Sequence, residues 1–119
     1  MKPPADDLDA RSRIWDQMQY FWMDTDPACL LPQIARVCAE SAYSIEELEA
    51  IFWNEVRPAV AFNLLSAAPE WRGFEIQSLQ RRILAKHRYG RPLPWRRLHA
   101  DARKDWESLR AAVAALRGT

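Results

Sequence analysis

The sequence has few of the residues from which catalytic and cofactor sites are commonly built. Its three glycines are too few for a phosphate-binding loop or a dinucleotide-binding fingerprint. It has no GxSxG nucleophile elbow, and neither cysteine lies in a nucleophile motif. The two histidines, His87 and His99, belong to different predicted segments and form no HExxH or HxH pattern. We therefore expect no cofactor, no metal site and no enzymatic activity.

Long hydrophobic runs are also absent. No apolar stretch approaches the roughly 20 residues that span a bilayer, and the first residues, MKPPADDLDARSR, contain no hydrophobic signal core. We therefore expect a cytoplasmic protein without membrane association. Cys29 and Cys38 lack the CxxC clustering of metal sites, and their apolar surroundings predict two buried free thiols.

The residues that are present are typical of one soluble domain. A chain of 119 residues can bury a single core, and its hydrophobic share of 49% indicates neither disorder nor a fibrous repeat. Six tryptophans are many for this length, and we expect most of them to lie in the core. We predict one domain over residues 1–119, in which residues 1–6 are a frayed tail because of Pro3 and Pro4.

Apolar residues recur with helical spacing in five segments, which predicts an all-α bundle of about five helices. The predicted helices cover residues 8–23, about 32–40, a segment that begins after residue 44, 75 to 87 or 88, and 95–117. The predicted core-facing side chains are Ile14, Trp15, Met18, Phe21, Trp22, Ile34, Val37, Cys38, Ile76, Leu79, Ile83, Leu84, Leu98, Ala102, Trp106, Leu109, Val113 and Leu116.

The third helix has the clearest start. Ser44 at the N-cap and Glu47 three residues later form a capping box, and Tyr43 is placed to pack on Leu48 as a hydrophobic staple. The Arg57-Pro58 pair is expected to end or kink this helix, because proline cannot donate a backbone hydrogen bond. Residues 58–74 are expected to form a structured connection.

One carboxylate is predicted within the apolar face of the third helix. The face is formed by Ile45, Leu48, Ile51, Phe52 and Val56, and its centre passes close to Glu55. Because an unpaired carboxylate in a core costs several kcal/mol, Glu55 needs donors. We predict that Glu55 and Asn63 are structural polar anchors, and that backbone N–H groups or an arginine of the C-terminal third donate to Glu55. A catalytic acid is the alternative.

Charge is divided along the chain, although the total is only +1. Residues 1–80 carry 13 acidic against 6 basic side chains, for −7, whereas residues 81–119 carry 11 basic against 3 acidic ones, for +8. Such asymmetry indicates either contacts between oppositely charged helices or a binding surface of one sign.

The acidic part favours a protein partner, which is the leading interpretation. Trp53 is predicted about 140° from Leu48 around the third helix, beside Glu46 and Glu49. Coverage of Trp53 by the NLLS loop or the first helix is the favoured interpretation of its position, and an exposed aromatic within an acidic surface is the alternative that a protein partner would use. Asp16 and Tyr20 of the first helix complete the predicted contact set. A basic effector or toxin would suit this surface.

The basic part favours nucleic acid, which is the second interpretation. Nine lysines and arginines lie between residues 81 and 104 with one aspartate, and Tyr89 and Trp95 are interleaved with them. The near-neutral total charge argues against this interpretation. The predicted phosphate contacts are Arg81, Arg82, Arg88, Arg91, Arg96 and Arg97.

The pattern YSxEELExI…EVxP…NLLS…EWxGF resembles a small family of bacterial proteins of about this length, to which no activity is attached. The similarity runs from about residue 15 to residue 84 and is densest at Ser44, Glu47, Leu48, Ile51, Glu55, Val56, Pro58, Asn63, Leu64, Trp71, Gly73 and Phe74. By analogy of class, the resemblance implies an immunity or antitoxin-like protein that occludes a cognate effector. The sequence does not decide whether the protein forms a homo-oligomer.

Overall fold

A computed structural model describes residues 2–22, 29–60, 75–89 and 96–118, and for residues 86–89 and 96–101 it describes the backbone alone. Within these ranges the protein is all-α, with five helices and no strand, as the hydrophobic periodicity predicted. The helices are α1 (Leu8–Met18), α2 (Leu31–Glu40), α3 (Ile45–Ile51 with a continuation to residue 60), α4 (Ile76–Tyr89) and α5 (Arg96–Leu116).

The N-terminal residues differ from the predicted frayed tail. Pro4–Asp6 form a short 3-10 helix in which Pro4 is buried. The guanidinium group of Arg11 donates a hydrogen bond to the Lys2 carbonyl, which holds this segment against α1. Helix α1 begins at Leu8 as predicted, but the chain continues after Met18 as a 3-10 helix, Gln19–Trp22. The predicted helix end at residue 23 lies outside the described ranges.

Helix α3 runs through Pro58 instead of ending there. Its α-helical start is followed by a π-helical segment, Phe52–Val56, and by an α-helical turn, Arg57–Val60. In a regular α-helix the proline ring would clash with the carbonyl of residue 54. The wider π turn, in which the Arg57 N–H donates to the Phe52 carbonyl, accommodates the proline. Residues 58–60 are therefore helical, and residues 61–74 of the predicted connection lie outside the description.

The core is formed by the predicted apolar faces. Helix α2 packs against both α1 and α5, and the last turn of α3 packs against α4. Phe52 lies in an aromatic cluster whose other rings have centroids 4.9 to 5.8 Å from its own. These neighbours are Phe21, Trp22, Trp53 and Trp106.

Two residues predicted in the core are exposed. Leu116 is 58% exposed, because it lies in the last turn of α5 and extends the apolar stripe beyond the part that the other helices cover. Cys29 is exposed in the turn before α2, whereas Cys38 on α2 is buried. The prediction of two buried thiols is therefore right for Cys38 and wrong for Cys29. The Leu98 side chain is outside the description.

Arg117 closes the C-terminal end of α2. Its guanidinium group donates to the carbonyls of Cys38, Ala39, Ser41 and Tyr43 over 2.6 to 3.2 Å. The last carbonyls of a helix have no partner within the helix and carry a partial negative charge, so a cation stabilises them. This arginine therefore joins the end of the chain to the segment between α2 and α3.

Replacing Arg117 by methionine should lower the free energy of unfolding by about 1.5–3 kcal/mol, the usual loss for hydrogen bonds to a charged group. Urea denaturation followed by circular dichroism measures this change. Arg110→Met, at an exposed position of α5, is the matched control and should change stability by less than about 0.5 kcal/mol. Equal effects of the two substitutions would show that the carbonyl contacts do not stabilise the fold.

Candidate functional site

The acidic side of α3 is fixed by the start of the helix. The Ser44 N–H donates to the Glu47 carboxylate over 2.9 Å, and the Glu47 N–H donates to the Ser44 hydroxyl over 3.1 Å, so the predicted capping box is present. The first of these bonds lowers the pKa of Glu47. Glu46 and Glu49 are exposed. The cap therefore fixes where α3 begins and hence which side of the helix Glu46 and Glu49 occupy.

Trp53 lies on the same helix as Glu46 and Glu49. Its side chain is half-buried, so it is neither fully exposed nor fully covered. Its ring makes an edge contact with Phe52 at a centroid distance of 5.1 Å. The Arg57 guanidinium carbon lies 5.4 Å from the Trp53 ring centroid, in cation–π geometry. Burial lowers the pKa of Arg57. We call Glu46, Glu49 and Trp53 the acidic face of α3.

Asp16 and Tyr20, the other predicted partner contacts, lie beside each other and are half-buried. The Gln19 amide donates to Asp16 over 3.1 Å. Burial raises the pKa of Asp16, and burial followed by the nearby Asp16 charge raises the pKa of Tyr20. Asp16 lies in α1 and Tyr20 in the 3-10 helix that follows it, so this pair belongs to a different segment of the chain from Glu46 and Glu49 on α3.

Glu55 is only 4% exposed, and its hydrogen-bond donors come from α1. The Arg11 Nη1 atom lies 2.5 Å from one carboxylate oxygen, and the Trp15 indole N–H donates to the other over 2.9 Å. We had expected backbone N–H groups or an arginine of the C-terminal third to donate to Glu55. For these two contacts that prediction is wrong. Glu55 therefore joins α3 to α1. Asn63, its predicted companion, lies outside the described residues.

Arg11 is the residue that sequence reasoning missed. It is fully buried, its Nε atom lies 3.5 Å from an Asp7 carboxylate oxygen, and its guanidinium carbon lies 5.7 Å from the Tyr43 ring centroid. The Tyr43 hydroxyl donates to Asp7. Burial and this hydrogen bond raise the pKa of Tyr43 to about 12. The sequence did contain a signal of this burial, because Arg11 lies three residues before Ile14 and therefore on the same face of the helix.

A cleft of about 660 Å³ opens beside this network, between α1, the end of α2 and the start of α3. Its volume lies within the range of about 300–1,000 Å³ that is usual for ligand sites. Its apolar lining consists of Ala10, Ile14, Val37 and Ala42. Its charged lining consists of Lys2, Asp7, Arg13, Glu40 and Glu47, and Ser41 and Tyr43 complete it. Because four separate segments form the cleft, namely the residues before α1, α1 itself, the end of α2 and the start of α3, no local pattern predicted it.

The basic candidates are described only in part. Arg81 on α4 is exposed and Arg82 is half-buried. The other four, Arg88, Arg91, Arg96 and Arg97, have side chains outside the description.

The described residues show no feature of a metal site or of a membrane span. Among the residues with described side chains, no group of three or more His, Cys, Asp and Glu could hold a metal ion. Burial raises the pKa of Cys38 to about 12, so its thiol stays protonated at neutral pH. No helix in the described ranges has the length and apolar character needed to cross a membrane.

Comparison with known proteins identifies the family and nothing more specific. No curated protein and no solved structure matches the chain significantly. A family model matches nearly the whole chain, including most of α5, which corrects the narrower limits of 15–84 inferred from the sequence pattern. The chain belongs to the family described as a domain of unknown function (DUF7079), whose model matches residues 9–114.

Proposed function

We propose that the protein is a non-enzymatic binding module that recognises a basic partner protein through the acidic face of α3. The observation that supports this proposal is the exposure of Glu46 and Glu49 on a helix whose start is fixed by hydrogen bonds in both directions. Exposed carboxylates on a fixed helix attract a basic surface over several ångströms and accelerate encounter.

Trp53 supplies the apolar part of the proposed contact. Tryptophan and arginine are enriched among the residues that contribute most to protein–protein affinity, and polar residues commonly surround them. The Trp53 ring already rests on Phe52 and under Arg57, so ordering it on binding costs little conformational entropy. Asp16 on α1 and Tyr20 in the following 3-10 helix form a second group of proposed contacts, which the partner would also have to reach.

The most concrete form of this function is a cytoplasmic immunity or antitoxin-like protein. Such a protein covers the active site of a basic effector and needs no catalytic group of its own. The class analogy with small bacterial proteins supports this form, and so does the sign of the charge on the acidic face of α3. The effector would supply lysines or arginines at the rim of its cleft, opposite Glu46 and Glu49.

The double substitution Glu46→Lys with Glu49→Lys should weaken binding about tenfold or more, because it opposes like charges and slows association. The test captures the stoichiometric partner from the native host with the wild-type protein, identifies it, and measures association rates with purified components at several salt concentrations. The matched control is Arg103→Glu with Lys104→Glu, which reverses two exposed charges on α5. Circular dichroism verifies that both variants fold.

The expected result is slow association for the α3 variant only, with the difference shrinking as salt is added. A partner that is lost with the α5 variant and kept with the α3 variant would refute the proposed surface. Binding of the wild-type protein to non-specific DNA or RNA at low ionic strength, weakened by Arg81→Glu, would favour the nucleic-acid function instead.

A further inference from the structure

Two of the three carboxylates that line the cleft already have partners inside the protein. Asp7 accepts a hydrogen bond from the Tyr43 hydroxyl, and one of its oxygens lies 3.5 Å from the Arg11 Nε atom. Glu47 accepts from the Ser44 N–H at the start of α3 over 2.9 Å. These contacts hold the lining in place, and they leave the two carboxylates with less capacity to bind a ligand.

Three other lining charges have no such partner. Lys2, Arg13 and Glu40 are exposed, and within the described residues their side chains form neither a hydrogen bond nor an ion pair. The two hydroxyl groups of the lining, by contrast, both donate to other groups of the protein. A ligand therefore meets free charges of both signs but no free hydroxyl donor, so a neutral polar ligand gains little from this cleft.

The total charge of the lining limits the ligand further. Two basic side chains and three carboxylates give a formal sum of −1, and the buried pair of Arg11 with Glu55 behind them adds no net charge. A ligand that carries only negative charge is therefore repelled overall. A ligand that carries only positive charge pairs with Glu40 but also approaches Lys2 and Arg13, which repel it. A ligand with one cationic and one anionic group pairs with all three free side chains.

The size and the apolar lining of the cleft suit a short peptide. A volume of about 660 Å³ corresponds to a width of about 9 Å, taken as its cube root, and an extended peptide of two or three residues has this length at roughly 3.3–3.6 Å per residue. Ile14 and Val37 supply apolar surface for a peptide side chain. We infer that the cleft binds a free peptide of two or three residues with apolar side chains.

The two ends of the peptide have different partners in this site. Glu40 at the end of α2 receives the terminal ammonium group, and Lys2 and Arg13, from the segment before α1 and from α1, receive the terminal carboxylate. Arg11 donates to the Lys2 carbonyl and so holds the N-terminal segment beside α1 before any ligand arrives. Because the site is formed in advance, little ordering opposes binding. The acidic face of α3 is not required, since neither Glu46 nor Glu49 lines the cleft.

The test is a titration of the purified, isotope-labelled full chain with the tripeptide Ala-Leu-Ala, followed by NMR chemical shifts up to millimolar peptide. Binding should shift the backbone amide signals of cleft residues such as Val37 and Ala42, and leave those of α5 in place. The N-acetylated and the C-amidated tripeptides, which each lack one terminal charge, are the comparison ligands. Each should bind about fivefold more weakly or worse, because each loses one ion pair.

Two variants assign the ends of the peptide to their partners. Glu40→Gln should weaken binding of the free tripeptide about fivefold and should bind the acetylated form no less tightly than the free one. Lys2→Gln with Arg13→Gln should likewise remove the preference for the free over the amidated form. Arg103→Gln, at an exposed position of α5, is the control and should keep both preferences. Thermal melts should be equal for all variants, because every substituted side chain is exposed.

Three results would overturn the inference. One is the absence of shifts in the cleft at millimolar Ala-Leu-Ala, and another is shifts confined to residues elsewhere in the protein. The third is equal affinity for the free, acetylated and amidated tripeptides, or preferences that Glu40→Gln and the double variant leave unchanged. If the amidated form binds as tightly as the free one, the site reads an ammonium group alone, and the proposed role of Lys2 and Arg13 is wrong.

Discussion

Replacing Arg11 by methionine should lower the free energy of unfolding by about 3–5 kcal/mol, the usual cost of removing one partner from a buried ion pair. The substitution keeps an apolar side chain of similar length but leaves the Glu55 carboxylate, which is 4% exposed, without its cation. The indole N–H of Trp15 remains as a donor but cannot neutralise the charge. Urea denaturation followed by circular dichroism measures the loss.

The control for this prediction is Arg36→Met, which removes an exposed arginine from α2. It should change the free energy of unfolding by less than about 0.5 kcal/mol. If Arg11→Met were no more damaging than Arg36→Met, the ion pair with Glu55 would not be what holds α1 against α3.

Removing both charges distinguishes a structural role from a functional one. The double variant Arg11→Met with Glu55→Leu should recover much of the stability lost in Arg11→Met, because no lone charge then remains in the core. If the network serves only the fold, this double variant should bind the captured partner as the wild type does. A folded double variant that has lost binding would assign Glu55 a direct role and revive the functional alternative.

Local signals were enough to predict most of the helices. The capping box between Ser44 and Glu47 depends on residues three apart, and the buried stripe of α5 from Ala102 to Val113 follows the helical period alone. Leu116 shows the limit of this reasoning, since the period places it on the correct side but does not reveal where the neighbouring helices stop covering that side.

The errors concern neighbours that are distant along the chain. The acidic residue in the apolar face of α3 could be placed from the sequence, but its donor Arg11 is 44 residues away. Arginine is rarely fully buried without a partner, so Arg11 resembles a surface charge until that partner is known. Pro58 was predicted to end or kink the helix, and only the ending is wrong, because the wider turn over residues 52–56 accommodates the proline ring.

The candidate surfaces also differ in how far the sequence alone could predict them. The acidic face of α3 was predictable, because Glu46 and Glu49 occupy one side of a single well-defined helix. The assignment of Asp16 and Tyr20 to the same surface required knowledge of how α1 is rotated against α3. The cleft required still more, since its walls come from the N-terminal segment, α1, α2 and the start of α3.

Phe52→Ala should lower the free energy of unfolding by about 3–5 kcal/mol, as expected for a large side chain lost from a packed core. The Phe52 ring is fully buried and contacts four other aromatic rings, so the cavity would be lined by rigid groups that cannot collapse into it. Phe52 also opens the π-helical segment that carries Glu55. Urea denaturation followed by circular dichroism is again the measurement.

Phe52→Leu is the matched variant for this prediction and also covers the case in which Phe52→Ala does not fold. It retains much of the volume, so its expected loss is smaller, about 1–2 kcal/mol, consistent with the cost of imperfect repacking. The alanine variant should also weaken partner binding, because Trp53 loses the ring against which it rests. If Phe52→Ala cost no more than Phe52→Leu, the aromatic cluster would not be the centre of the core. Unchanged binding in a folded alanine variant would exclude Trp53 as an anchor that depends on Phe52.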